Sequence, residues 1–280
     1  MLYQKEIKAM KGIISILLVT LCISALAQDN ETEALLKANV KEMRLKQLVH
    51  AFSNKKDSCL LDIKKYNEAG KLTYSKRDLI CLGWNSSEEF QYTYIDGNMM
   101  EMTLTRDGKL FARNEYIYAK KSEDPESTIS YLQETGDTIY TDFKYFKNRK
   151  GRLDSTYSYE LMPDGTQLLR RNIIRYDKED NVVQMSNALA GEEVIDMVSY
   201  ERGEKGEMLG MAYTTYGDNP KFVQTYYVYN EDDKIAKTTD TRNRTQLYFY
   251  TPKGLLNNVL TYNGKGELEV EFIYEYEFFK

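Results

Sequence analysis

A seven-residue pattern recurs along the chain and predicts tight turns between β-strands over most of its length. A Tyr is followed four places later by Gly or Asp, and six places later by an aliphatic residue. A type I turn closed by a left-handed residue requires Gly, Asn or Asp at that fourth place. The Tyr and the aliphatic residue then face each other across a hairpin, a pair that contributes about 0.2–1 kcal/mol. The clearest units are Tyr66-Gly70-Leu72, Tyr176-Asp180-Val182, Tyr229-Asp233-Ile235, Tyr250-Gly254-Leu256 and Tyr262-Gly266-Leu268.

The residues between these turns alternate in polarity, and the end of the chain shows this best. Apolar side chains recur at every second position from Leu268 to Phe278, and most of the positions between them are Glu. A period of two places the two sets on opposite faces of a strand, whereas a helix would scatter both around its circumference. The pattern predicts a β-repeat domain over residues 58–280.

The first 27 residues have the features of an export signal. Lys5, Lys8 and Lys11 precede a short apolar run, and Ala25-Leu26-Ala27 provides a small-x-small exit. The run is shorter than the roughly 20 residues that span a bilayer. We expect a cleaved signal peptide at residues 1–27, with no transmembrane anchor left after cleavage. The predicted location is the periplasm, the cell surface or the exterior, and an uncleaved anchor is the alternative.

Residues 28–57 follow a different pattern from the rest of the chain. Its apolar residues recur at mixed three- and four-residue steps among charges, which is typical of an amphipathic helix. They are Leu36, Val40, Met43, Leu45, Leu48, Val49 and Phe52. The predicted fold class is therefore all-β with one N-terminal helix. Its body is an antiparallel hairpin meander in a single twisted or rolled sheet.

One unit shows a family resemblance. Tyr66-Asn67-Glu68-Ala69-Gly70-Lys71-Leu72 resembles the YD repeat of RHS-type proteins, whose core is Tyr-Asp/Asn-x-x-Gly-Arg/Lys-Leu. Tyr176-Asp177 and Tyr229-Asn230 keep the opening pair but have Asp where Gly is usual. The likeness spans most of residues 59–280, and the chain is similar to small exported YD-like proteins of Gram-negative envelopes. This resemblance implies a β-architecture and no particular activity.

Two cysteines remain after the predicted signal peptide, namely Cys59 and Cys81. Export to an oxidising compartment permits a disulfide between them. The turn at residues 67–71 places them one diagonal step apart on the same face of a hairpin, where a bridge would contribute about 3 kcal/mol. Two free thiols on a buried strand face are the alternative.

An aromatic cluster is the candidate binding site. Trp84, the only Trp, lies near Phe90, Tyr92 and Tyr94, and an exposed platform of such rings can stack on a sugar or dock a partner side chain. The competing interpretation is cross-strand packing, because the Tyr spacing follows the turns.

Several kinds of chemistry are disfavoured. The single His, His50, excludes a His pair, and no glycine-rich phosphate loop is present, so no catalytic residue, metal site or cofactor is predicted. Asp and Asn in the segments 177–181 and 230–233 suit turns better than calcium loops. A net charge of −5 disfavours nucleic acid as a partner, despite the basic run at residues 144–152.

The leading functional hypothesis is a non-enzymatic exported envelope or surface protein, a binding or structural β-repeat module for a protein or a glycan. One alternative is a carrier that holds a lipid-like molecule in a curved sheet. Another is a hydrolase of envelope glycans, which needs two carboxyls facing each other across a cleft. An outer-membrane barrel is disfavoured by charges such as Lys144, Arg149 and Arg152 amid the strands.

Overall fold

The computed structural model describes residues 33–50, 57–120, 122–189, 194–217 and 219–280, and the predicted signal peptide lies outside them. Residues 33–37 form one short helix, and Leu79–Leu82 form a 3₁₀ turn. Eighteen strands make up most of the described chain. They are β1 Val40–Val49, β2 Asp57–Tyr66, β3 Leu72–Asp78, β4 Ser87–Ile95, β5 Asn98–Arg106, β6 Lys109–Tyr118, β7 Pro125–Leu132, β8 Asp137–Lys147, β9 Leu153–Leu161, β10 Gln167–Tyr176, β11 Val182–Leu189, β12 Val194–Arg202, β13 Met208–Thr215, β14 Lys221–Tyr229, β15 Ile235–Asp240, β16 Thr245–Tyr250, β17 Leu256–Tyr262 and β18 Leu268–Phe278.

The strands form one closed antiparallel barrel. Each strand pairs with the strands before and after it in the chain, and β1 pairs with both β2 and β18, so that the circle is complete. The predicted fold class, a single twisted or rolled sheet with an N-terminal helix, is wrong on this point. Closure satisfies the backbone groups that an open sheet would leave unpaired at its two edges.

The segment predicted to be an amphipathic helix supplies the strand that closes the barrel. Within residues 28–57, β1 covers Val40–Val49, and only residues 33–37 are helical. The register shifts between Val40 and Glu42 on the β18 side, and between Leu45 and Lys46 on the β2 side. The shift on the β18 side inserts Lys41 into β1, so the buried residues Val40 and Met43 are three positions apart and imitate a helical step. The shift on the β2 side lies in β2, where Leu61 is the extra residue.

The repeated units form the predicted hairpins. Tyr and the aliphatic residue are cross-strand partners in all five clear units, from Tyr66 opposite Leu72 to Tyr262 opposite Leu268. The residue four places after the Tyr has a positive φ in each unit, as in Gly70 at +72° and Asp180 at +69°. The residue after the Tyr caps the turn, since Asn67 Oδ1 accepts hydrogen bonds from the amides of Ala69 and Lys71.

The two faces of the barrel wall differ in burial. On the inner face lie most of the buried strand residues, both apolar and polar. They include Met43, Met102, Leu104, Ile139, Val198, Val259, Gln47, Asp62, Ser75, Thr128, Thr141, Ser158, Glu160, Asp196 and Thr238. Large exposed side chains such as Ile117, Tyr140, Phe222 and Phe249 point outward.

The short helix covers part of one mouth of the barrel. Leu35 is buried there against Val40 and Leu255, and Tyr66 and Phe278 pack against this cluster. This mouth is the end at which even-numbered strands finish and odd-numbered strands begin. The helix therefore lies over the end of the inner face next to the β18–β1–β2 seam.

Candidate binding surface on the inner face

The structure separates the four residues of the predicted aromatic platform. Phe90, Tyr92 and Tyr94 alternate along β4 on the inner face, and the rings of Phe90 and Tyr92 are stacked with centroids 6.4 Å apart. Trp84 lies in the connection before β4, at the opposite end of that strand from Tyr94, and is 69% exposed. The three inner rings belong to one surface, and Trp84 is not part of it.

A disulfide fixes the connection that carries Trp84. Cys59 on β2 and Cys81 in the 3₁₀ turn are bonded, with their Cα atoms 5.6 Å apart. The Trp84 amide also donates to the Leu79 carbonyl at 3.0 Å. The bridge ties the β3–β4 connection to the neighbouring strand at the mouth opposite the helix.

A ring of tyrosines lines the inner face near the mouth that carries the helix. Each hydroxyl donates to a backbone carbonyl at or next to the start of the preceding strand, at 2.7–2.9 Å. Bulges beside the turns interrupt the ladder there, and the hydroxyls supply these carbonyls with a donor. We call these residues the tyrosine girdle: Tyr94, Tyr118, Tyr145, Tyr176, Tyr229 and Tyr250.

Cations from the turns cover several girdle rings. The Lys71 ammonium lies 5.4 Å from the centroid of Tyr94, whose hydroxyl binds the carbonyl of the next residue, Leu72. Arg152 covers Tyr176 in the same way at 5.7 Å. At these turns the Lys or Arg that follows the left-handed residue therefore links its own hairpin to the next one around the barrel, through an attraction of about 0.5–1 kcal/mol.

β12 ends in Arg202 rather than Tyr, yet it makes the equivalent contact. Its guanidinium donates to the Val182 carbonyl, at the start of β11, with distances of 3.1 and 3.3 Å. The carbonyl at the start of an odd-numbered strand is thus satisfied by a polar side chain here as well. The recurrence of this contact explains why a Tyr opens so many of the units.

Further tyrosines line the wall between the two mouths. Tyr92 and Tyr116 lie on β4 and β6, and Tyr227 and Tyr248 lie on β14 and β16, all on the inner face. Burial raises the pKa of Tyr116 and of Tyr227 to about 12 and also raises that of Tyr92. These phenols stay neutral at physiological pH and offer ring faces together with a hydrogen-bonding group.

Three carboxyl groups are buried on the same face. Burial raises the pKa of Asp62, which accepts a hydrogen bond from Ser75 Oγ at 3.4 Å. Burial likewise raises the pKa of Glu160, although Arg170 Nε donates to it at 3.1 Å and opposes the shift. The inner wall therefore combines aromatic rings with polar groups that already have protein partners.

The third acid is Asp196 on β12, whose pKa is also raised by burial. Asn187 Nδ2 donates to its Oδ1 at 2.6 Å. Sequence reasoning missed these three carboxyl groups, although Asp196 shares its strand parity with Val198 and Tyr200, so that the alternation could have marked it as inward-facing.

The geometry does not bring two of these acids together. Glu160 on β9 and Asp196 on β12 are three ladder steps apart, or about 14 Å along the wall, and Asp62 on β2 is farther away. A glycosidase requires two carboxyls roughly 5–10 Å apart. Within the described ranges, no three His, Cys, Asp or Glu side chains form a group that could hold a metal ion.

The fold and this surface define the class of protein: a closed, up-and-down barrel of eighteen strands with an aromatic inner wall. No protein-family model matches the chain, and no curated protein matches it. In the part of the chain that the structure describes, no helix has the length and apolar character needed to cross a membrane.

Solved structures with a related shape include a porin-like protein from Bacteroides uniformis. It is 10% identical with a TM-score of 0.45, over 85% of this chain and 98% of that one. A porin-like protein from Bacteroides vulgatus has the same identity and coverage and a TM-score of 0.32. The toxin complex TcdB2-TccC3-TEV is 12% identical with a TM-score of 0.38, over 84% of this chain but only 14% of that chain. Likenesses this distant carry no argument about function.

Proposed function

We propose that the protein is a non-enzymatic binding barrel of the bacterial cell envelope, and that its inner face binds a glycan. The observation that supports this most directly is the alternation of desolvated tyrosine rings with buried polar groups on one wall. Sugars present apolar ring faces and hydroxyls together, so their sites combine aromatic side chains with a few placed polar groups.

The same wall argues against a lipid carrier. A lipid-like molecule needs a continuous apolar cavity, but Asp62, Glu160 and Arg170 interrupt the inner face. Contact with polar side chains adds little to the burial of apolar surface that holds an acyl chain, so these positions weaken the case for a lipid site. A glycan hydrolase is disfavoured for a different reason: the buried acids are farther apart than the roughly 5–10 Å between the two carboxyls of a glycosidase.

Residues on the outer face favour an aqueous compartment of the envelope. Ion pairs cross the β1–β18 seam, including Lys41 with Glu277 at 2.9 Å and Lys46 with Glu275 at 2.5 Å. Such exposed pairs contribute at most about 1 kcal/mol each, and their charges keep this side of the wall hydrated. Export by residues 1–27 and affiliation with YD-repeat proteins are parts of this proposal that rest on the sequence pattern.

Binding can be tested with neutral oligosaccharides of graded length, in gluco-, manno- and galacto-configurations, by saturation-transfer NMR and calorimetry. Tyr92→Leu removes an inner ring while it retains apolar volume, and Tyr226→Leu is the matched change on the outer face. We expect the inner variant to weaken binding about tenfold, a loss of about 1.4 kcal/mol. The outer variant should bind like the wild-type protein.

Two results would contradict the proposal. One is that no oligosaccharide of the series binds to the wild-type protein. The other is that native mass spectrometry of the purified protein finds a bound lipid, which would support the carrier instead.

A further inference from the structure

A second surface of unusual composition lies on the outside of the barrel, on β8, β9 and β10. Adjacent outward side chains form rows across these three strands. One row is Tyr140, Leu161 and Gln167, the next is Asp142, Tyr159 and Leu169, and the third is Lys144, Tyr157 and Arg171. We call this grid the outer basic-aromatic surface.

Large apolar side chains on this surface are open to solvent. Tyr140 is 51% exposed, Leu161 43% and Tyr159 40%. Phe146, 47% exposed, continues the surface toward the mouth that carries the helix and meets the Tyr157 ring edge-on at 5.2 Å between centroids. A contiguous exposed aromatic patch on a sheet face is typical of an interaction site.

Two cations on the surface stand over its rings. The Lys144 ammonium lies 4.9 Å from the centroid of Tyr159, and the Arg171 guanidinium lies 5.2 Å from that of Tyr157. Within the described ranges neither cation forms an ion pair, and Arg171 Nε is buried without a hydrogen-bond partner. This contrasts with the β1–β18 seam, where Lys41 and Lys46 both have acidic partners.

We infer that the outer basic-aromatic surface binds an acidic polysaccharide, one that bears a carboxylate on its sugar rings. The rings of such a chain stack on Tyr140 and Tyr159, and its carboxylates pair with Lys144 and Arg171. The three rows lie one after another along the strands, so the surface is long enough to contact several sugar units of an extended polymer. This inference rests on the proposed export to the envelope, but it concerns a different face from the inner wall.

One acid within the grid gives the inference a distinctive test. Asp142 is exposed beside Tyr159 and repels a polyanion. Asp142→Asn should therefore tighten binding, whereas almost any damage to the fold would weaken it. The expected gain is about threefold and should shrink with added salt, because exposed charges are screened.

The experiment measures binding of a linear polyuronate oligomer by calorimetry, beside the same oligomer with its carboxyls methyl-esterified. The paired change Lys144→Ala with Arg171→Ala should weaken polyuronate binding about tenfold or more. Lys237→Ala, an outward cation on β15, is the matched control and should have little effect. The esterified oligomer should bind wild-type protein at least tenfold more weakly than the polyuronate.

The outcomes separate this inference from the proposed function. If Tyr92→Leu abolishes polyuronate binding while the paired outer variant does not, the polymer binds inside, so the inference is wrong and the inner site stands. If an oligoglutamate peptide binds as tightly as the polyuronate and through the same residues, the surface recognises an acidic protein instead. Absence of polyuronate binding to the wild-type protein also overturns the inference.

Discussion

Replacing Tyr94 by Phe tests whether the tyrosine girdle holds neighbouring hairpins together. The change removes the hydroxyl that donates to the Leu72 carbonyl at 2.9 Å and keeps the ring beneath Lys71. A lost hydrogen bond of this kind lowers the free energy of unfolding by about 1 kcal/mol. Tyr176 and Tyr229 make the same contact on distant strands, so the triple variant should lose about 3 kcal/mol.

Urea unfolding followed by circular dichroism measures the loss, provided that the m-value is unchanged. Tyr140→Phe is the matched control, since Tyr140 is 51% exposed and points outward, and it should change stability by less than about 0.5 kcal/mol. The reasoning fails if the triple variant is as stable as this control, because the hydroxyls would then contribute nothing to the wall.

Three further perturbations address other parts of the molecule. Serine at both Cys59 and Cys81 should lower the free energy of unfolding by about 3 kcal/mol, because the bridge spans a sequence separation of 22; denaturant titration against the oxidised protein checks this. Burial raises the pKa of Asp196, so the folded protein binds a proton there more tightly than the unfolded chain does, and it is destabilised as pH rises through this pKa. Asp196→Asn should therefore be more stable than the wild-type protein near neutral pH, and its melting temperature should depend less on pH. Gly108→Ala should lower the free energy of unfolding by about 1 kcal/mol, because φ is +76° there and an added Cβ meets no atom within 4 Å. Gly70→Ala should lower it by about twice as much, because the added Cβ would lie 2.9 Å from a side chain of the short helix. Equal melting temperatures of the two variants would contradict this.

The hairpins could be read from the sequence because each is decided locally. Tyr229 faces Ile235, and Asp233 takes the left-handed conformation, as the spacing of that unit predicts. Two other turns, in which Gly97 follows Thr93 and Gly108 follows Leu104 at the same four-residue spacing, have a different geometry. They are two-residue turns with positive φ at Asp96 and Gly97 and at Asp107 and Gly108, the geometry that an Asp-Gly pair favours.

Closure of the barrel could not be read in the same way. It depends on pairing between β1 and β18, more than 200 residues apart, for which no local turn gives a signal. The bulge at Lys41 also interrupts the alternation of β1, so the sequence pattern does not show a strand there. A complementary pattern was nevertheless present: Lys41, Arg44 and Lys46 on β1 meet the outward Glu side chains of the last strand.

The candidate site was predicted in part. Alternation predicts that Phe90, Tyr92 and Tyr94 share one face of a strand, which the structure confirms. Only closure of the barrel makes that face the inner one, and the sequence did not predict closure. Trp84 is close to Phe90 in the sequence, but the 3₁₀ turn and the chain reversal before β4 place it at the far end of the strand. The inward acids Asp62, Glu160 and Asp196 lie on strands that are far apart in the sequence, and only the closed barrel places them on one common inner surface.

Cross-linking at the seam tests the closed barrel most directly. Lys46 on β1 and Ile273 on β18 are paired residues on the outer face. With Lys46→Cys and Ile273→Cys both introduced, mild oxidation should form a disulfide within one molecule. Lys46→Cys with Ile129→Cys, on β7 and six strands away around the barrel, should not form one. An open sheet would leave the first pair unbridged or joined only between molecules, and that result would contradict the account.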